Sequence, residues 1–316
     1  MRHIFTICTT DYIPFAKNVC ESFLLHNPLY TFHVFIVNRP EASIIDFSDE
    51  RIKIHVVDDL GIDQLRGMQE RYTVFEYCNS LKPFMANWLF DTFSIENLIY
   101  TDTDMMYFNK VSVVENLLEN HHIVLTPHIS SPIDIDGYNY TENGFLNAGL
   151  YNAGFFAISN SNVSNRFLQW WMERMESLCI VELSEGLFVD QIWLNLVPLF
   201  FDGVYILRDP SYNMGGWNLT ERSFTPDTFM VNNEYPLVCY HYSGYDISSP
   251  SKICKYQNRY TFENRQELIP LYKFYSKKLV EHGLSSTQRN EEIISQDSFI
   301  TSFIERFKKN LQRILR

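Results

Sequence analysis

Basic residues are scarce in this chain of 316 residues: lysine and arginine number 26 against 38 aspartates and glutamates, a formal charge of −12. A protein that grips duplex nucleic acid displaces counterions with a basic footprint, and this body has none, so nucleic acid is excluded as a partner. Long apolar runs are also missing. The best stretch, Trp193 to Phe201, is interrupted by Asn195 and Pro198 and falls well short of a membrane-crossing helix. The N-terminus reaches Asp11 before a signal-like apolar segment develops, so a soluble, cytoplasmic protein is expected. Cys8, Cys20, Cys78, Cys179, Cys239 and Cys254 include no C-x-x-C pair, which argues against a disulfide frame or a cysteine zinc site and for reduced core thiols. What is plentiful is apolar surface. Hydrophobic types make up 46% and charged types 20%, enough for a sizeable core and incompatible with a disordered or fibrous chain.

The first hundred residues alternate strand-like and helix-like text. His3 to Thr9, Phe32 to Val37, Ile52 to Val57 and Asn97 to Thr101 are apolar, β-branched runs of strand length. Between them, a helix opens at Pro14 and stops at Asn27-Pro28, and a long helical stretch covers Gln64 to Phe90 with a break at Lys82-Pro83. Strands separated by helices predict an α/β fold, with a mixed, mostly parallel sheet flanked by helices. Further on, Met105 to Phe108 is a short apolar piece and Val113 to Leu118 reads as helix. His128 to Gly149 reads as a functional loop without structure of its own. Ala153 to Ile158 is strand-like, Val163 to Leu178 and Gly186 to Leu196 read as helices, and Val204 to Leu207 and Leu237 to Tyr240 as short strands. Asn264 to Glu281 is helical in pattern. The organisation predicted is one domain over residues 1–283, then a polar linker and a basic C-terminal helix over 284–316.

The strongest chemical signal is Asp102-Thr103-Asp104, directly after the buried-type strand Leu98-Ile99-Tyr100. Alternate side chains of an extended chain share a face, so both carboxylates can converge at the carboxyl end of a strand, where open α/β sheets bind ligands. Two acids there call for a hard divalent cation such as Mn²⁺ or Mg²⁺. The other reading is a solvated turn. Phosphatases share a D-x-D motif but carry it after their first strand, whereas here three strand-like runs precede the strand that carries it.

Seven segments in order, ICTTDY (7–12), NSLKPF (79–84), LIYTDTD (98–104), LYNAGFFAI (150–158), FVDQIW (188–193), SYNMGGWNLTER (211–222) and HYSG (241–244), resemble the GT-A-fold glycosyltransferases, particularly glycosyltransferase family 8 and its bacterial relatives. The resemblance spans roughly residues 3–246. It implies a metal-dependent enzyme that moves a hexose from a nucleotide diphosphate sugar, UDP-linked, to a hydroxyl acceptor with retention. It further implies that Asp102, Asp104 and His241 hold the metal and diphosphate. Thr9 and Tyr12 would contact base and ribose, Lys82 would face the donor phosphates or sugar, and Asp190 would hold sugar hydroxyls. Gln191 would stand near the anomeric carbon, and Gly244 would close the H-x-x-G turn. Asn152 matches the N-A-G asparagine, but Asn147-Ala-Gly is a second copy. One departure is Ile247, where the family often has a phosphate-binding lysine; that task then falls to Lys82, Arg222 or Lys252. The alternatives are a core histidine at His241, polar residues on an exposed helix face at Asp190-Gln191 and a solvated helix end at Lys82. A non-catalytic sugar-binding or membrane-associated scaffold is the alternative to an enzyme. Trp217, beside Gly215-Gly216, is a candidate floor for the acceptor groove.

The chain ends in a pattern of another kind. On a helix, Ile300, Phe303, Ile304, Phe307, Leu311 and Ile314 line one face and Arg306, Lys309, Arg313 and Arg316 the other. Residues 299–316 are thus either an anchor on an anionic membrane surface, bringing the enzyme to a glycan or glycolipid acceptor from the inner face of the plasma membrane, or a helix docked on protein.

Overall fold

The computed structural model describes residues 2–39 and 46–284. Strands β1 (Arg2–Cys8), β2 (Tyr30–Ile36), β3 (Ile52–Val56) and β4 (Asn97–Thr101) pair in parallel. They are followed by β5 (Met105–Tyr107), β6 (Ile123–Pro127) and β7 (Tyr151–Ser159), of which β7 runs antiparallel to both β4 and β6. A hairpin of β8 (Val181–Glu182) and β9 (Leu187–Phe188) precedes β10 (Val204–Ile206), which pairs in parallel with β6. The main sheet has the order β10-β6-β7-β4-β1-β2-β3. The short strands β11 (Met214–Gly215), β12 (Phe224–Thr225), β13 (Met230–Val231), β14 (Tyr235–Pro236) and β15 (Cys239–His241) complete the set, with β11-β15-β5 forming a second sheet.

The helices are α1 (Ile13–His26), α2 (Gln64–Arg71), α3 (Val74–Ser80), α4 (Lys82–Thr92), α5 (Ser112–Leu117), α6 (Glu142–Ala148), α7 (Asn162–Met175), α8 (Val197–Phe200) and α9 (Ile269–Glu281). They cover both faces of the main sheet, which is why its strands read as near-continuous apolar runs. Along β1, Phe5 and Ile7 face the core beneath α4 and α7, while Ile4 and Cys8 face the core beneath α1. A third core packs α9 against the smaller sheet through Met106, Tyr240, Tyr272 and Tyr275. All six cysteines are unpaired, five of them buried. Among the described residues no helix is long and apolar enough to cross a membrane. The linker and basic helix predicted at the C-terminus lie outside the described residues.

Several elements depart from the sequence reading. The stretch Gln64 to Phe90 is three helices, because Thr73 and Glu76 form a reciprocal capping box that starts α3 afresh. His128 to Gly149 contains α6, capped by the Thr141 hydroxyl, which accepts from the Gly144 N–H. The strand β6 has no counterpart in the sequence reading. The predicted helix over Gly186 to Leu196 is not one. Gly186, at φ +72°, turns the β8–β9 hairpin, and only Ile192–Leu196 winds, as a 3₁₀ turn. Between them Val189 sits at φ +42°, an unusual conformation for a β-branched residue, directly before Asp190.

A row of imidazoles, buried at His3 and His33 and half-buried at His55, crosses β1, β2 and β3. His3 Nδ1 lies 2.8 Å from His33 Nε2, and His33 Nδ1 lies 2.9 Å from His55 Nε2. Burial pushes His3 down to about 4, His33 to about 3 and His55 to about 4. The folded chain therefore keeps these rings neutral while the unfolded chain protonates them below about 6.5. Their contribution is complete above that value and is lost as the pH falls toward 4. Fully buried His33 alone accounts for up to about 1.4 kcal/mol per pH unit in that window, and the half-buried His55 for less. The melting temperature is expected to drop by several degrees between pH 7 and pH 5; a flat calorimetric profile over that range would contradict neutral burial of the row.

Candidate active site

The D-x-D pair sits where three segments meet. β4 ends at Thr101, and the Asp102 backbone N–H donates to the Gly154 carbonyl of β7 at 2.8 Å. β15 pairs antiparallel with β5, setting His241 opposite Met105, while the Tyr242 N–H donates to the Asp104 carbonyl at 2.8 Å. Sheet register therefore delivers Asp102, Asp104 and His241 to one spot, where a ligand atom from each lies within 4.8 Å of the others. His241 Nε2 is 3.0 Å from Asp104 Oδ1 and 3.8 Å from Asp102 Oδ2. A side chain at Gly154 would collide with this group: a Cβ there would stand 2.5 Å from His241 Cε1 and 2.6 Å from Asp102 Oδ2.

The direction of the hydrogen bonds behind His241 can be deduced. The Gly154 backbone N–H can only donate, and it donates to Asn152 Oδ1 at 3.0 Å. Asn152 Oδ1 also accepts from Asn213 Nδ2 at 3.0 Å, and Asn213 Nδ2 donates to Thr126 Oγ1 at 2.9 Å. That leaves Asn213 Oδ1 as the acceptor facing His241 Nδ1 at 3.0 Å, so Nδ1 carries the proton. In the neutral ring Nε2 then points a lone pair at the Asp104 carboxylate, and something positive must lie between them. Without a metal this is a proton. Burial lowers the basicity of His241, but the Asp104 and Asp102 carboxylates outweigh it and raise the ring above its ordinary value. Two carboxylates and one oriented imidazole suit a divalent cation equally well, and the Asn213 contact is the kind of outer partner that fixes a metal-binding histidine.

Lys82 opens α4 and is almost wholly buried, which corrects the solvated-end alternative. Its ammonium lies 2.9 Å from Asp190 Oδ2 and 3.8 Å from Asp102 Oδ1, and donates to the Ala153 carbonyl at 3.2 Å. Burial pulls the amine toward neutrality, but Asp102 and Asp190 prevail and hold it charged. Asp190 is buried, not on an exposed helix face. Gln191 accepts from the Ala153 N–H at 3.1 Å and donates to the Ala148 carbonyl at 2.9 Å, so its amide is locked against β7.

Thr9, Tyr12, Lys82, Asp102, Asp104, Asn152, Asp190, Gln191, His241 and Gly244 all line one cleft of about 1070 Å³. Asn147 does not line it; it is exposed on α6, so Asn152 is the N-A-G asparagine at the cleft. Trp217 lines the cleft but is buried edge-on against His241 at 5.0 Å, a buttress and not an open platform. Arg222 and Lys252 are both outside. Arg222 is buried with its guanidinium donating to the carbonyls of Pro210 and Tyr212, and Lys252 is exposed away from the lining. Among the described residues, the lysines and arginines of the lining are Lys82 and Lys255. The Lys255 N–H donates to the Gly244 carbonyl at 2.9 Å, and Gly244, at φ +71°, leaves no room for a Cβ beside Tyr256. Sequence reasoning missed Lys255 and the role of Asn213. Asn213 lay inside a quoted segment, but Lys255 had no motif to mark it.

No protein-family model matches the sequence. The chain is 28% identical over 209 residues to the uncharacterised protein YfnF of Bacillus subtilis (strain 168), covering 65% of this chain and 68% of that one. Among solved structures it is similar to the galactosyltransferase LgtC in complex with donor and acceptor sugar analogs, at 14% identity and a TM-score of 0.51 over 92% of this chain and 99% of that one. Similarity to the glycosyltransferase GlyE of Streptococcus pneumoniae has a TM-score of 0.49 at 15% identity, over 98% of this chain and 64% of that one. With β7 reversed in the main sheet, its carboxylate pair after β4 and the similarity to LgtC over 92% of its length, the chain has the GT-A glycosyltransferase fold.

Proposed function

We propose that this protein is a metal-dependent glycosyltransferase that moves a hexose from a UDP-sugar to a hydroxyl acceptor in bacterial surface glycan or glycolipid assembly, with the retention implied by the family 8 resemblance. The observation that carries the reading is the convergence of His241 Nε2, Asp104 and Asp102 on one spot, with His241 Nδ1 tied to Asn213, in the wall of a cleft large enough for a nucleotide sugar. Asp102, Asp104 and His241 would hold Mn²⁺ or Mg²⁺, which when bound supplies Lewis acidity toward a departing diphosphate.

The other roles belong to the chain itself. Thr9 and the exposed ring of Tyr12 offer a seat for base and ribose. Lys255, the exposed cation of the lining, takes the diphosphate task that Ile247 cannot perform. Lys82 is already committed to two carboxylates, so it orients Asp190 toward sugar hydroxyls and does not bind phosphate freely. Asp190 and Gln191 present a carboxylate and an amide dipole to the positive charge that develops on the sugar.

The test is donor hydrolysis across a panel of nucleotide sugars, with and without Mn²⁺. Release of UDP from one or two UDP-hexoses, abolished by EDTA, is expected; no release from any donor would end the proposal. Lys255→Ala should raise the donor KM about tenfold with little change for the uncharged nucleoside as inhibitor, the pattern expected of a lost charge-assisted contact to phosphate.

A further inference from the structure

One wall of the cleft is apolar and, unlike the core, open to solvent. Val74 and Phe75, in the first turn of α3, line it while remaining 65% and 57% exposed, and Phe188 of β9 lines it two residues before Asp190. The capping box of Thr73 and Glu76 fixes that turn, and Glu76 also fastens it to the neighbouring hairpin: the Val181 N–H donates to Glu76 Oε1 at 3.1 Å. The hairpin adds Val181 at 46% and Leu183 at 54% exposure. Single exposed apolar side chains are ordinary, but two in the lining of a binding cleft, with two more on the hairpin hydrogen-bonded to their turn, mark a surface that is covered in use.

We propose that this wall seats the apolar aglycone of the acceptor, so that the substrate class is a sugar hydroxyl carried on an alkyl or aryl group. The inference rests on the transferase reading above. An acceptor hydroxyl must approach the sugar held by Asp190 and Gln191, and β9 joins that position directly to Phe188. A bare sugar would leave Val74 and Phe75 uncovered. Nor does the wall suit an anionic group, because of the two cations of the lining Lys82 is sequestered by Asp102 and Asp190, and Lys255 is assigned to the donor diphosphate. A neutral apolar group extending from the cleft over the first turn of α3 would cover Val74 and Phe75.

The experiment compares methyl and octyl β-glycosides of galactose, glucose and N-acetylglucosamine, kept below micelle-forming concentrations, as acceptors for the full chain. The octyl glycoside of an accepted sugar is expected to have a KM about 10–100-fold below its methyl counterpart, with kcat little changed. Val74→Ser/Phe75→Ser should shrink that ratio to about threefold or less, and Val181→Ser/Leu183→Ser, at positions outside the cleft lining, should shrink it partly. Equal KM values in the unmodified protein, or a ratio that survives both variants, would overturn the proposal. If no glycoside is accepted, thermal shifts with UDP present serve instead, and equal shifts with methyl and octyl glycosides overturn it. Binding to phosphatidylcholine vesicles, or self-association, that depends on Phe75 without any octyl preference would assign the wall to a membrane or a second copy, and so also overturn it. Donor hydrolysis without acceptor, read in parallel, reports the transferase reading separately.

Discussion

Asp102→Asn and Asp104→Asn are each expected to lower donor hydrolysis by about a thousandfold or more, and to remove the thermal stabilisation that UDP with Mn²⁺ confers on the unmodified protein. A ligand that binds only the folded state at a hundred times its Kd stabilises by about 2.7 kcal/mol, which for a chain of this size is a shift of about 4 °C. EDTA should abolish it. The substitutions should leave the unliganded fold intact for a local reason. Asparagine keeps an Oδ1 that can accept from the Tyr100 hydroxyl, now 2.6 Å from Asp102 Oδ1. Losing a charge also relieves the crowding of Asp102, Asp104 and Asp190 in one cleft. A variant that shifted as far as the parent with UDP and Mn²⁺ would reject metal ligation by that carboxylate.

Lys82→Met is expected to be the most destabilising single change in the site. It strands Asp190, which is 1% exposed and loses its partner at 2.9 Å. Breaking a buried ion pair from one side costs about 3–5 kcal/mol, because the remaining charge must stay unpaired or take up a proton. In this chain that corresponds to a melting temperature lower by roughly 5–8 °C. The double change Lys82→Met/Asp190→Leu removes both charges and should recover most of that loss in a urea titration, since similar volume is refilled with apolar atoms. Donor hydrolysis by the double variant should nevertheless stay at least about a hundredfold down. Recovery of activity together with stability would show that the pair merely holds the fold.

The core of the reading was visible in one dimension. β1, β2, β4 and β7 are buried on both faces, so their sequences carry unbroken apolar character, and the acids after β4 stood out against it. β6 was not legible because IVLTP lies between histidines and ends in a proline, which break up its apolar run. α6 escaped because ENGFLNA carries glycine and two asparagines and is held by a cap at Thr141 more than by propensity. The segment after Gly186 misled in the opposite direction, since a periodic apolar pattern was overridden by a turn glycine and the positive φ of Val189.

By itself, then, the sequence determined the alternation of strands and helices, the carboxylate pair at a strand end, and the order of Asn152, Asp190, Gln191 and His241 along the chain. Those features are local, written in periodicity and neighbouring residues. Only the tertiary structure decided that Asn152 and not Asn147 faces the cleft, that Lys82 is buried between two acids, that Asn213 fixes the proton on His241, and that Lys255 stands where Arg222 and Lys252 do not. Each of these depends on which partner reaches a charge or a hydrogen-bonding atom across distant segments. Such neutralisation is set by sheet order and register, which no single stretch of the chain contains.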